Sequence, residues 1–123
     1  MHEYAITESI VRITEEELLK SKAKKVLEIK LVVGELTGLV PECIQSYFDI
    51  ISKGTTVYGA ILKIEKKSVN VKCNDCGFES PMDLSKDNCS SCGSSNLKLI
   101  GGREYYIESM EVEWWKLKLL DKF

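Results

Sequence analysis

VKCNDCGFESPMDLSKDNCSSCGSSNLKLI, residues Val71 to Ile100, decides how the rest of the chain is read. It holds two copies of one device, CNDCG at 73–77 and CSSCG at 89–93. Two residues between paired cysteines let both thiolates of a tight turn reach the same ion. A glycine follows each second cysteine (Gly77, Gly93) and relaxes the backbone where the turn folds back. Cys73, Cys76, Cys89 and Cys92 can then offer four sulfurs to one Zn2+ at about 2.3 Å, a closed tetrahedral site. The twelve residues between Cys76 and Cys89 suffice for a short hairpin. Phe78, Met82 and Leu84 are too few to build an independent core, so the ion is expected to supply the missing stabilisation. With all four positions filled, no water remains on the metal for catalysis. A redox reading of Cys-x-x-Cys needs a thioredoxin-like surround, which the flanking sequence lacks. Between Cys73 and Cys92 the single base, Lys86, is set against Asp75, Glu79, Asp83 and Asp87, the wrong sign for phosphate contacts.

Strand-like sequence lies on both sides of this polar stretch. Upstream, AILKIEKKSVNVK (60–72) reads as one strand, with Leu62 and Ile64 on one face and Lys63 and Glu65 on the other. Downstream, LKLIGGREYYIESMEVEWW (97–115) returns to alternation, with Met110, Val112 and Trp114 opposing Glu111 and Glu113. The four-cysteine segment is therefore an insert in a sheet-forming domain, and its two ends must lie close together. Further upstream, VLEIKLVVGEL alternates as a strand, with Leu27, Ile29, Leu31 and Val33 inward and Glu28 and Lys30 outward. Gly34, Gly38 and Pro41 punctuate the passage to a second helix. There Ile44, Tyr47, Phe48 and Ile51 fall at helical spacing, and Gly54 closes the run. Cys43 sits on the apolar side of that helix and reads as a small buried hydrophobe. A first helix is expected from about Tyr4 to Lys25, with Ile6, Ile10 and Ile13 on one face, widened by Val11 and Leu18. Its closing SKAKK suits a helix C-terminus. The predicted fold class is α+β: two helices on a three-stranded sheet, interrupted by a small zinc-ribbon or rubredoxin-knuckle module. The discontinuous domain spans 1–70 plus 103–123, and the insert spans 71–102.

At 123 residues, 44% of them hydrophobic, the chain suits one modest domain with an appendage. A net charge of −2 indicates no general attraction to nucleic acid or anionic membrane. No apolar run reaches the ~18 residues of a membrane span, and MHEYAITESI has no cationic segment of the signal-peptide kind. A cytoplasmic location follows by default, and there unpaired cysteines are the norm.

The only histidine is His2. It reads either as a solvated residue at a chain end or as a metal ligand. The terminal amine of Met1, the His2 amide nitrogen and the His2 imidazole can close adjacent chelate rings on one ion. The Glu3 amide or carboxylate is a further donor. Such tetragonal nitrogen and oxygen sets suit Ni2+ or Cu2+. The amine's free pKa of about 7.7–8.0 allows a metal to displace its proton near neutrality.

Taken together, MHEYAITESI, VGELTGLVPE, FDIISKGTTVYGA, the paired CNDCG and CSSCG, and GGREYYIESMEVE resemble the HypA-type hydrogenase maturation proteins. The resemblance runs from Met1 to about Glu113. It implies a nickel metallochaperone, not an enzyme. Ni2+ would be held weakly as cargo by Met1, His2 and Glu3, and Zn2+ structurally by Cys73, Cys76, Cys89 and Cys92. With a partner GTPase, such proteins deliver nickel to the large-subunit precursor of NiFe hydrogenase, and in some organisms serve the urease machinery. The alternative is a zinc-ribbon interaction adaptor with no nickel site. Either a monomer or a homodimer fits, the discontinuous domain allowing exchange of inserts between subunits. The tail WWKLKLLDKF departs from the pattern. Trp115, Leu117, Leu119, Leu120 and Phe123 are too apolar for a free tail, so packing against the protein's own sheet is expected.

Overall fold

The computed structural model describes residues 3–21 and 23–113, and the backbone of 116–122. Helix α1 (Glu3–Ser21) buries Thr7, Ile10, Val11, Thr14 and Leu18 on one stripe. Spacings of three and four put these residues on one face. Two of them are threonines, which hydropathy alone does not mark as core. Each hydroxyl donates to its own helix backbone, Thr7 Oγ1 to the Glu3 carbonyl at 2.6 Å and Thr14 Oγ1 to the Ile10 carbonyl at 2.8 Å, so neither enters the core unsatisfied.

Strand β1 (Val26–Gly34) leads through a 3-10 turn (Glu35–Thr37) to helix α2 (Pro41–Ile51). Proline fits the first turn of α2 because an amide there has no intrahelical acceptor. Strand β2 (Ile61–Lys67) returns parallel to β1, pairing Ile29 with Leu62 and Leu31 with Ile64. Parallel neighbours require a crossover, and α2 provides it. Strands β3 (Asn70–Cys73), β4 (Glu79–Pro81) and β5 (Leu97–Ile100) form a separate three-stranded sheet in the order β4-β3-β5. Strands β6 (Tyr105–Val112) and β7 (Lys116–Lys122) complete the first sheet, whose order is β2-β1-β6-β7. Ile10, Ile29, Leu31, Ile44, Phe48, Ile107 and Met110 are all 1% exposed or less and join both helices to this sheet. Each such side chain contributes roughly 1.5–3 kcal/mol on burial.

The α+β class holds, with four adjustments. First, α1 ends at Ser21 and not near Lys25. Ser21 Oγ donates to the Leu18 carbonyl at 2.9 Å and accepts the Ala23 amide at 3.3 Å, which turns the chain before the lysines. Second, Leu27 is 39% exposed, although alternation placed it inward. The β1–β6 register shifts between Val26 and Glu28, and the irregularity turns Leu27 out while Val26 is buried. Third, the segments read as single strands at 60–72 and 97–115 each divide between the two sheets, the second sheet starting at Asn70. Fourth, the first sheet has four strands, not three. The tail adds β7, antiparallel to β6, pairing Met110 with Leu117 and Glu111 with Lys116. Packing of the tail on its own sheet is thus realised through backbone pairing. Trp114, Trp115 and Phe123, and the side chains of Leu117, Leu119 and Leu120, lie outside the described residues.

The two sheets meet at a glycine contact. A Cβ on Gly34 would stand 2.2 Å from the Gly102 carbonyl, and one on Gly102, whose φ is +82°, would stand 2.5 Å from Val69 Cγ2. That close approach lets the Gly34 amide donate to the Glu104 carbonyl at 2.5 Å and the Leu36 amide to the Gly102 carbonyl at 2.6 Å. Only glycine permits backbones so near, and a left-handed φ without strain.

Candidate metal centres

Both knuckles fold alike. The Gly77 amide donates to the Cys73 carbonyl, and the Gly93 amide to the Cys89 carbonyl, each at 2.9 Å. Gly77 and Gly93 take φ values of +79° and +77°. These left-handed residues turn the chain sharply after each pair and expose backbone amides toward sulfur. The amides of Ser91 and Cys92 lie 3.3 and 3.4 Å from Cys89 Sγ.

The four sulfurs converge. All lie within 4.8 Å of one another, with Cys73 Sγ 3.6 Å from Cys92 Sγ and Cys76 Sγ 3.5 Å from Cys89 Sγ. Thiolates bound at ~2.3 Å to one tetrahedral ion would stand about 3.8 Å apart. The donor set and its spacing therefore fit such an ion. Cys73 and Cys89 are buried, Cys76 and Cys92 exposed, so the cluster is closed beneath and reachable from solvent above.

Electrostatics favours a divalent cation among these thiols. The Cys92 amide, then that of Ser91, hold the Cys89 thiol down at about 6 against the cost of burial. The Cys76 amide likewise lowers Cys73. The Ser94 amide pulls Cys92 down, but Cys73, burial and the remaining thiols outweigh it and push Cys92 up to about 12. The Phe78 amide also fails to hold Cys76 down against burial and Cys89, and its thiol is raised. Four sulfurs this close cannot all ionise beside one another without positive charge between them.

A polar stitch joins the knuckles. Ser94 Oγ donates to Asp75 Oδ2, Asn96 Nδ2 to Asp75 Oδ1 at 3.4 Å, and Asn74 Nδ2 to Asn96 Oδ1 at 3.0 Å. Asn74 also donates its amide to the Asn96 carbonyl at 2.9 Å. In the sequence these residues read only as polar loop. Their pairing shows no periodic signal, though Asp and Asn inside or beside a metal knuckle are the residue types that bond nearby backbone.

Met1 and His2 lie outside the described residues. Glu3, the third expected nickel ligand, occupies the first turn of α1 and is half-buried. The four cysteine ligands are thus brought together, and of the terminal set Glu3 alone is placed. Cys43 is half-buried on α2, less enclosed than its apolar neighbours suggested, because Ile50 on the same helix is 62% exposed.

A sulfur-knuckle cluster inserted into a two-helix, four-stranded body defines a small metal-handling protein. The comparisons narrow the class. Residues 1–112 match the HypA family, described as hydrogenase/urease nickel incorporation metallochaperones. Among similar proteins, a hydrogenase maturation factor HypA from Moorella thermoacetica is 35% identical over 113 residues, covering 92% of this chain and 100% of that protein. One from a Nostoc species is 40% identical, covering 92% and 96%. A solution structure of the Ni metallochaperone HypA from Helicobacter pylori has a TM-score of 0.61 at 27% identity, covering 91% of this chain and 97% of that one. A second HypA solution structure gives 0.69 at 29% identity, covering 91% and 96%. The chain belongs to the HypA family, the nickel metallochaperones of hydrogenase and urease maturation. No described helix is long and apolar enough to cross a membrane.

Proposed function

We propose that this chain holds Ni2+ at its amino terminus, through the Met1 amine, His2 and Glu3, and passes it with a partner GTPase to the large-subunit precursor of NiFe hydrogenase. It is a carrier and not a catalyst. The four cysteines hold Zn2+, which organises the insert when bound. The body takes residues 1–70 and 103–123 and the insert 71–102, with the insert and the adjoining sheet offering the docking surface for partners. The cytoplasm, where thiols stay reduced, is the compartment that suits this chemistry.

The observation that carries the nickel reading is the place of Glu3 in the first turn of α1. Helix geometry commits none of the first-turn amides to intrahelical bonds. A chelate built from the amine, the amides of residues 2 and 3 and the imidazole therefore forms without breaking the helix behind it. The nitrogen and oxygen donors suit Ni2+, whereas the sulfur cluster suits Zn2+, so the two ions are sorted by ligand softness. A shallow terminal chelate also lets an acceptor with more donors take the ion through shared ligands.

The test is calorimetric nickel titration of the tag-free chain and its His2→Ala variant, with intact mass to fix Met1 and elemental analysis for zinc. His2→Ala is expected to abolish nickel binding and leave one zinc per chain. Stoichiometric nickel on the variant would refute the assignment.

A further inference from the structure

Tyr4 and Tyr47 meet edge to face, with ring centroids 5.4 Å apart and planes at 81°. Tyr4 belongs to the first turn of α1, and Tyr47 to the middle of α2. Further along, Glu15 Oε2 accepts from the Thr56 hydroxyl at 3.4 Å, so α2 and the turn after it track α1 in the same direction. The aromatic contact therefore lies at the N-terminal end of α1. Both rings are substantially exposed, Tyr4 at 52% and Tyr47 at 37%, so core packing does not explain the pairing.

Glu3 also makes a bond within α1. Its carbonyl accepts the Thr7 hydroxyl at 2.6 Å, and Thr7 is fully buried. Helix ends fray unless something outside the backbone ladder fixes them. Here the Tyr4–Tyr47 contact is that outside fixture, since the Thr7–Glu3 bond lies within α1 itself.

We propose that Tyr47 is a positioning residue for nickel: its ring clasps Tyr4 and keeps the first turn of α1 formed, so that Glu3 is ordered before the ion arrives. The inference rests on the terminal-site reading given above. A donor already ordered loses less conformational freedom on binding, and that saving appears as affinity. Tyr47 touches no metal and acts only through Tyr4. The chemistry requires the ring and not the hydroxyl, because an edge-to-face contact depends on the aromatic quadrupole.

The experiment is nickel titration of the zinc-loaded, tag-free full chain, well below its thermal midpoint. The variants are Tyr47→Ala, Tyr47→Leu, Tyr47→Phe, Tyr4→Ala and the double alanine, with His2→Ala as control. Loss of one aromatic pair corresponds to roughly three- to tenfold weaker nickel binding. Tyr47→Ala and Tyr4→Ala should each show it, and the double variant should lose no more than either single one. Tyr47→Leu, which keeps apolar bulk, should be as weak as the alanine variant and serves if that variant folds poorly. Tyr47→Phe should bind as the parent does. Zinc content should be unchanged throughout. Parental affinity in Tyr47→Ala and Tyr47→Leu, with nickel lost in His2→Ala, overturns the clasp and leaves the terminal site standing. Nickel retained by His2→Ala overturns the site, and the clasp with it. Additive losses in the double variant overturn the claim that the two rings act as one unit.

Discussion

In the helix–sheet body Ile10, Ile29, Leu31, Ile44 and Ile107 are wholly withdrawn from solvent, while in the insert Phe78, Leu84 and Leu99 remain 43%, 91% and 51% exposed. The body has an apolar core spread over two helices and a four-stranded sheet. The insert has three strands of three or four residues, a polar stitch, and four converging sulfurs. Three strands so short cannot offset their own ordering entropy by burial alone. The body should thus survive loss of metal, and the insert should not. On the function proposed above, the same division would suit a carrier, with a resident ion in the insert and the cargo at the other region.

The largest effect should come from breaking the insert. Cys73→Ser is expected to reduce zinc content to near zero and to remove hydrogen-exchange protection from β3, β4 and β5 while sparing β1 and β6. Structural zinc supplies about 10–16 kcal/mol in small zinc-folded peptides, far more than any single side chain here. Phe48→Ala is the converse probe. It should lower body stability by about 3–5 kcal/mol in denaturant unfolding yet leave zinc stoichiometry at one. If Phe48→Ala also released zinc, the two regions would not be separately held.

The glycine contact between the sheets sharpens the comparison at their junction. Gly102→Ala adds a Cβ 2.5 Å from Val69 Cγ2 at a φ of +82°. A cost of roughly 1–3 kcal/mol is expected, shared by both regions. Exchange protection of the Leu36 amide, which donates to the Gly102 carbonyl, should fall first.

The smallest effect is local and pH-dependent. Asp83 accepts from the Ser85 hydroxyl at 2.6 Å and its amide at 2.9 Å, and these bonds lower its pKa below the usual 3.8. A lowered folded pKa means that the contact contributes above the unfolded value and is lost as pH falls through the folded one. Acid also releases metal from the thiolates, so the contact is read at neutral pH: Asp83→Asn should shift the Ser85 amide resonance in NMR while zinc content and the amides of the body stay unchanged.

Much of this division was legible in the sequence, because its causes are local. The cysteine spacing and its trailing glycines fix the knuckles, and the alternation of Ile29, Leu31 and Val33 fixes most of β1. Where non-local pairing decides, the reading fell short. Leu27 turns outward because β1 and β6 slip register. The strand read at 60–72 divides because Asn70 and Val71 pair with β5 and β4 and not with the body. Thr7 and Thr14 enter the core by satisfying their hydroxyls within the helix, which hydropathy cannot foresee. The Tyr4–Tyr47 contact joins residues far apart in sequence, and nothing in either segment announces it. The tail's apolar character pointed to packing, but only the backbone ladder with β6 shows it to be a strand. The family match ends at residue 112, so that strand lies beyond the shared pattern.

X-ray absorption at the nickel and zinc edges of one doubly loaded sample tests the sorting of the two ions most directly. The expected result is a zinc shell of four sulfurs at about 2.3 Å and a nickel shell of nitrogen and oxygen only. Sulfur in the nickel shell, or a zinc shell short of four sulfurs, would contradict the assignment of cargo to the terminus and resident ion to the insert.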